Sequence, residues 1–329
     1  MKILNLVYPE NSDIKYQIQK FPDGQQNVVL AKLKFEGLWG MVEGCRPNRC
    51  SYFTPSKSVL IKSRLNNWSD LELIVAAVAS LRGLGAEEIH LYAPYILGAR
   101  SDRKFEEGGN NYLKDVICPI INLLNFKTVT CIDPHSDVLE ACIKGFRKKS
   151  NLQLVEWTLN EIQGGGHEVY KHNFDNILLV SPDSGASKKI YKIAEQIGYT
   201  GDIITCSKER DVNGELTKCV VPLRLGEDFS VDGGILSRYW DDKDFIIIDD
   251  ICDGGATFIN IAKEIKAYFH ESGKTESKIY LIVTHGIFSK GLEVLFEYFD
   301  GIYCTNSYDQ FTIDTEDPLN QRFKQLNVF

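Results

Sequence analysis

The run Phe245-Ile246-Ile247-Ile248, followed at once by Asp249-Asp250 and then by Ile251-Cys252-Asp253-Gly254-Gly255-Ala256-Thr257, constrains this chain more than any other stretch. The run is short, apolar and rich in β-branched residues, which predicts a buried strand. After Thr257, the residues Phe258, Ile261, Ala262, Ile265, Tyr268 and Phe269 recur at helical spacing. A strand, a tight loop and a helix make the repeating unit of a parallel α/β sheet, and such sheets bind ligands beyond the carboxyl ends of their strands. The Asp pair is therefore expected at a strand end, and Gly254-Gly255-Ala256-Thr257 at a helix N-terminus. Backbone N–H groups and the positive end of the helix dipole make that a phosphate cradle. An isolated Asp-Asp would read as an acidic strand end. Joined to the small-residue loop and helix, it points to a ligand with both hydroxyls and a phosphate: a phosphorylated ribose.

The same alternation runs along most of the 329 residues. Strands are expected at 59–62, 89–93 and 128–132, with helices at 71–81 (capped by Ser69 or Asp70) and 113–124. A second cycle has strands at 176–180, 202–206, 245–248, 278–284 and 301–304, and helices at 187–197, after 257 and at 292–299. An α/β protein with mainly parallel sheets follows, in two halves, 1–155 and 156–329. The net charge of −8 disfavours a nucleic-acid partner. No apolar segment is long enough to span a bilayer, and Met1–Tyr8 is too short for a signal peptide. Nine scattered cysteines fit free thiols in a reducing cytoplasm. Cys45 and Cys50 form the one close pair, which is poor support for zinc.

Four further constellations add chemistry. Ala99-Arg100-Ser101-Asp102-Arg103-Lys104 gathers cations around one acid, as polyphosphate binding requires, although a solvated charged loop looks the same. Asp133-x-His135 and Asp183 sit at further strand ends, where an imidazole and a carboxylate could hold magnesium directly or through water. A lone His is otherwise a structural one. Lys208-x-Arg210 opens a long polar connection, 207–242, of the kind that forms a lid or arm. Phe21-Pro22-Asp23-Gly24-Gln25 offers an aromatic ring, an acid and an amide to a purine, or is a plain turn. No Gly-x-Gly-x-x-Gly follows an expected strand, so hydride chemistry is poorly supported.

Together these residues resemble the ribose-phosphate pyrophosphokinases, also called phosphoribosyl-diphosphate synthetases. The family's Phe-x-Asp-Gly-Glu loop is similar to Phe21–Gln25, with Gln for Glu. Its Arg-Gln-Asp-Arg-Lys loop is similar to Arg100–Lys104, its Asp-Leu-His to Asp133–His135, and its Ser-Pro-Asp-x-Gly to Ser181–Gly185. The outer cations of its Lys-Arg-Arg arm match Lys208 and Arg210. Its Asp-Asp-x-x-Asp-Thr-x-Gly-Thr matches Asp249–Thr257, with Gly254 for Thr and Ala256 for Gly. Thr284-His285-Gly286 and Thr305-Asn306-Ser307 also have counterparts.

The resemblance implies two tandem type I phosphoribosyltransferase-like domains, and an enzyme of nucleotide biosynthesis in the cytoplasm. Its cofactor would be Mg²⁺, its co-substrate ATP and its assembly a homo-oligomer. Phe21, Asp23, Gln25, Arg100, Ser101, Asp102 and Arg103 would bind ATP, and His135 and Asp183 the metal. Asp249 and Asp250 would hold the ribose hydroxyls, and Asp253, Gly254, Gly255, Ala256 and Thr257 the 5-phosphate. Lys208, Arg210 and His135 would be catalytic. The altered phosphate loop resembles a phage branch that pyrophosphorylates ADP-ribose for NAD rebuilding as much as enzymes acting on ribose 5-phosphate. For a phage protein the compartment would be the host cytoplasm. A phosphoribosyltransferase shares the 249–257 loop but does not need the loops at 21–25 and 100–104. A non-catalytic nucleotide-binding subunit would not need Lys208 and Arg210.

Overall fold

The computed structural model describes residues 1–30, 57–164, 173–210, 216–222, 243–272, 277–312, 316–317 and 320–329. The Cys45 and Cys50 pair lies outside them, as does most of the 207–242 connection beyond residue 222. The chain divides into two compact units at Lys149/Ser150, with Phe329 grouped with the first.

The first unit runs β1 (Lys2–Asn5), β2 (Tyr16–Lys20), β3 (Gln26–Leu30), β4 (Ser58–Lys62), α1 (Trp68–Gly83), β5 (Glu88–Tyr92), α2 (Cys118–Leu123), β6 (Thr128–Ile132), α3 (Val138–Cys142) and β7 (Phe146–Lys149). Strands β1, β4, β5, β6 and β7 form one parallel sheet in chain order, and β2 and β3 an antiparallel hairpin. In β4, Val59 and Ile61 are buried and their neighbours half-buried, the period of a strand with one face on the core. α1 begins earlier than expected. Asn67, and not Ser69 or Asp70, caps it by accepting the Asp70 N–H at 3.0 Å. Its buried Leu71, Ile74, Ala77, Val78 and Leu81 make a single helical stripe. The helix expected over 113–124 is broken in type: Leu113–Ile117 is a π turn that runs into α2. Pro119 has no N–H, and its ring collides with the carbonyl four residues back. The turn before it widens, so that the Cys118 N–H reaches Leu113 O.

The second unit runs α4 (Leu152–Ile162), β8 (Ile177–Ser181), α5 (Ser184–Ile197), β9 (Ile203–Thr205), β10 (Ser207–Arg210), β11 (Leu216–Val220), β12 (Asp244–Cys252), α6 (Ala256–Ser272), β13 (Ile279–Gly286), α7 (Glu293–Phe296), β14 (Gly301–Thr305) and β15 (Phe323–Leu326). α4 starts ahead of the expected boundary at 155, and its Leu154, Val155 and Leu159 pack with the second sheet. The sheet order is β15-β14-β13-β12-β8-β9, all parallel, and β10 and β11 form a separate antiparallel hairpin. β8, β13 and β14 are buried along their whole length, because helices cover both faces of a parallel sheet.

The alternation along β12 sorts its residues between those two faces. Phe245 and Ile247 lie in the cluster with Phe258, Ile261 and Ile265 of α6. Ile246 and Ile248 lie in the cluster with Ile190, Ile193 and Ala194 of α5. The strand order reverses between β8 and β12: the chain moves outward to β9 on one side and through β13, β14 and β15 on the other. That reversal opens a crevice at the carboxyl ends of β8 and β12, where a doubly wound sheet binds its ligand.

Candidate functional site

In the second unit the crevice is lined from both of its strands. Asp249 and Asp250 lie inside β12, which runs on to Cys252; they are not beyond its end as the apolar run predicted. The strand continues because Asp249 and Ile251 still pair with Val283 and His285 of β13. Asp250 continues the even-numbered face towards α5. There its Oδ2 accepts from Lys189 Nζ at 2.8 Å, with both side chains largely buried. Asp249 Oδ1 accepts the Asp250 N–H at 2.8 Å. From β8, Asp183 caps α5: its Oδ1 accepts the Ala186 N–H at 3.0 Å. α5 therefore begins at Ser184, ahead of the expected 187.

Burial raises the Asp249 pKa well above the ordinary carboxylate value. The charges of Asp250 and Asp183 add to the rise, against the Asp250 N–H and the Lys189 charge. Between the ordinary carboxylate pKa and this raised one, the folded protein holds a proton that the unfolded chain has released. Stability therefore falls as pH rises through that window. Asp249→Asn is expected to melt higher than the parent at neutral pH, by a margin that shrinks towards pH 4, while losing affinity for the sugar. Melting curves across pH test the first part, and calorimetry with ribose 5-phosphate the second. The crowding of carboxylates from β8 and β12 is also a donor set that suits magnesium. That ion takes one or two carboxylates and keeps water or phosphate oxygens for its other positions.

The loop after β12 makes the expected tight turn into a helix start. Gly255 has φ +78°, and the first helical bond of α6 runs from Ile259 N to Gly255 O at 3.0 Å. The preceding turn thus presents the N–H groups that a helix start leaves without intrahelical partners. A Cβ on Gly255 would lie 2.7 Å from Leu295 Cδ2, besides requiring a left-handed backbone. Gly255→Ala is expected to destabilise the protein by about 2 kcal/mol and to weaken phosphate binding. Thermal melts and phosphate calorimetry measure both. The loop after β13 braces the cradle. Ile287 N and Phe288 N donate to Cys252 O, Ser289 N donates to Asp253 O, and Ser289 Oγ donates to Asp253 Oδ1 at 2.6 Å. Beside it, buried His285 shares a 2.7 Å hydrogen bond with Ser307, and Thr305 Oγ1 donates to Thr284 O at 2.6 Å. The Thr284–Gly286 and Thr305–Ser307 segments are therefore tied together at the ends of β13 and β14.

In the first unit, Arg100–Lys104 and His135 come together. Asp102 is buried, and its carboxylate receives Arg103 in a fork, Nε to Oδ1 at 2.8 Å and the terminal nitrogen to Oδ2 at 3.3 Å. Burial works against this carboxylate. Arg103, the adjacent Ser136 hydroxyl and the charge of His135 outweigh burial and hold its pKa below the usual range. Asp102 thus orients Arg103, while Arg100 and Arg103 are exposed. His135 is exposed and follows Asp133, whose left-handed φ of 41° turns the chain at the end of β6. Phe21–Gln25 is the tip of the β2–β3 hairpin. Phe21 N donates to Gln25 O at 2.8 Å, Asp23 Oδ1 accepts the Gln25 N–H at 3.1 Å, and the Phe21 ring is exposed. His135 belongs to the first unit and Asp183 to the second. Lys208 and Arg210 are the second and last residues of β10, with Cys219 and Leu216 as their partners in β11.

Two residues at the site escaped the sequence reading. Lys189 carried a signal in its position on the α5 face, two turns after Asp183. Lys290 carried none, because only the fold brings its loop to the cradle.

No protein-family model matches the chain. It is 26% identical over 265 residues to the ribose-phosphate pyrophosphokinase of Mycoplasmopsis pulmonis, covering 80% of this chain and 70% of that one. It is 26% identical over 252 residues to the enzyme of that name from Saccharolobus solfataricus, covering 76% and 77%. Both relatives carry that name, and the similarity spans most of each chain. The crystal structure of phosphoribosylpyrophosphate synthetase from Mycobacterium smegmatis superposes with a TM-score of 0.65 at 18% identity, over 97% of this chain and 88% of that one. The fold is thus shared with that synthetase. No helix among the described residues is long and apolar enough to cross a membrane.

Proposed function

We propose that the protein transfers pyrophosphate from ATP to the anomeric hydroxyl of a ribose 5-phosphate moiety and releases AMP. The observation that carries this is the Asp249-Asp250 pair running directly into the Gly254–Thr257 cradle at the crevice between β8 and β12. Two carboxylates grip vicinal hydroxyls, and one helix start grips a phosphate set apart from them, as a phosphorylated pentose requires. Asp249 and Asp250 hold the ribose hydroxyls, with Lys189 holding Asp250 in place. Asp253–Thr257 hold the 5-phosphate. Arg100 and Arg103 bind the ATP phosphates, Ser101 and Asp102 shape that loop, and Phe21, Asp23 and Gln25 receive the adenine. Asp183 would hold magnesium in the second unit, and the ion would supply neutralisation of phosphate charge. Lys208 and Arg210 stabilise charge that develops during transfer.

The hydroxyl oxygen bonds to the β-phosphorus, the bond from that phosphorus to the AMP oxygen breaks, and the hydroxyl proton passes to solvent or a neighbouring base. The exposed Ile18, Phe21 and Val29 of the β2–β3 hairpin support a homo-oligomer. The thiols of Cys118, Cys142 and Cys304 support a reducing, cytoplasmic setting.

The test is incubation with ATP and magnesium, separately with ribose 5-phosphate and with ADP-ribose, with products followed by mass spectrometry. AMP and a pyrophosphorylated acceptor are expected. No AMP with either acceptor would sink the reading, and absence of ATP binding by calorimetry would favour a phosphoribosyltransferase.

A further inference from the structure

The loop that braces the phosphate cradle also brings a cation to it. Lys290 lies between Ser289, which is bonded twice to Asp253, and Gly291, whose N–H closes a turn onto Phe288 O at 2.8 Å. Its stem runs along the cradle. A Cβ built on Gly254 would lie 3.3 Å from Lys290 Cε, 3.4 Å from Cδ and 3.6 Å from Cγ. Three successive methylene carbons therefore cover the face of Gly254, and the ammonium stands one bond beyond. A Cβ at 254 would make this stem give by a few tenths of an ångström. Glycine there and lysine at 290 fit as a pair. Lys290 is exposed, and its ammonium makes no hydrogen bond or ion pair among the described residues.

We propose that Lys290 is a specificity residue for the acceptor, binding a second phosphoryl group attached to the 5-phosphate and so selecting a diphosphate ester of ribose over a terminal monophosphate. This rests on the reading of the cradle as the 5-phosphate site. The backbone N–H groups of the loop serve one phosphate. Lys290 is exposed and its ammonium lies one bond from the carbon nearest Gly254, within reach of a group carried by a phosphate on this loop. A lysine ammonium is a compact point charge on a long stem, suited to a phosphate whose position is set by other contacts.

The experiment is calorimetry of the full chain with ribose 5-phosphate and with ADP-ribose, alongside AMP release with each. It compares the parent with Lys290→Met and Lys290→Arg. The parent is expected to bind ADP-ribose more tightly. Lys290→Met is expected to weaken ADP-ribose about ten- to hundredfold, the range for a hydrogen bond to a charged group, and to change ribose 5-phosphate only a few-fold. Lys290→Arg is expected to retain the preference. Equal losses for both acceptors, or no loss for either, would overturn the proposal. If AMP is still released in that case, the proposed function stands without it. A parent that binds neither acceptor and releases no AMP would overturn both.

Discussion

Lys208→Ala is expected to lower turnover by about 10³-fold, measured as AMP release at saturating ATP and acceptor, with the affinity for ATP changed only a few-fold. The magnitude is that of a cation placed against a transferring phosphoryl group, where its attraction is strongest once charge has spread over the equatorial oxygens. Such a loss falls on kcat and on kcat/KM equally, because the contact is made in the transition state and not with bound substrate. The backbone is suited to this. Lys208 sits in a two-stranded hairpin, opposite Cys219, at the head of the long connection that leaves β9. A two-stranded ribbon outside the main sheet is marginally stable by itself, and it is a common form for an element that closes over substrate. A Lys208→Ala protein with unchanged turnover would remove Lys208 from the chemistry. One with a raised KM and unchanged kcat would make it a ground-state phosphate ligand.

The second large effect is structural. Lys189→Met is expected to destabilise the second unit by about 3 kcal/mol at neutral pH, since it leaves Asp249 and Asp250 side by side without their cation. Both partners of the 2.8 Å pair are mostly buried, so solvent does little to screen the repulsion that remains. The deficit has a definite pH dependence. Without Lys189 the two carboxylates hold protons to higher pH in the folded state than in the unfolded chain, so stability drops as pH rises through that range and returns on acidification. Chemical denaturation at pH 5 and pH 8 separates this from a packing defect, which would be the same at both. Adding Asp249→Asn to Lys189→Met should restore most of the loss, and the double-mutant cycle gives the coupling directly.

Much of the site was legible in the residues. Phe245–Ile248 is too short, too apolar and too branched for anything but a buried strand, and the glycines after it have to turn. Those local facts place Asp249–Thr257 where a strand gives way to a helix, beside the crevice between β8 and β12. Boundaries were less legible. Asp183 is expected as a strand-end carboxylate for magnesium, yet it also caps α5, because that helix begins at Ser184 and not at 187. Asp249 and Asp250 were placed after the strand, yet β13 pairs with β12 as far as Cys252, and hydrogen bonds from a neighbouring strand leave no mark on β12's own sequence.

What the sequence by itself determined is the alternation of strand and helix, the two-unit plan and the acidic, glycine-rich corner after Phe245–Ile248. All of these follow from periodicity and side-chain chemistry within a few residues. Tertiary structure alone decided the strand order β15-β14-β13-β12-β8-β9, and with it the reversal that sets Asp183 beside Asp249. It alone joined Lys189 to Asp250 across 61 positions and laid Lys290 over Gly254. Such pairings depend on which strands become neighbours. That choice is made by the packing of whole helices on whole sheet faces, and no short stretch of sequence contains it.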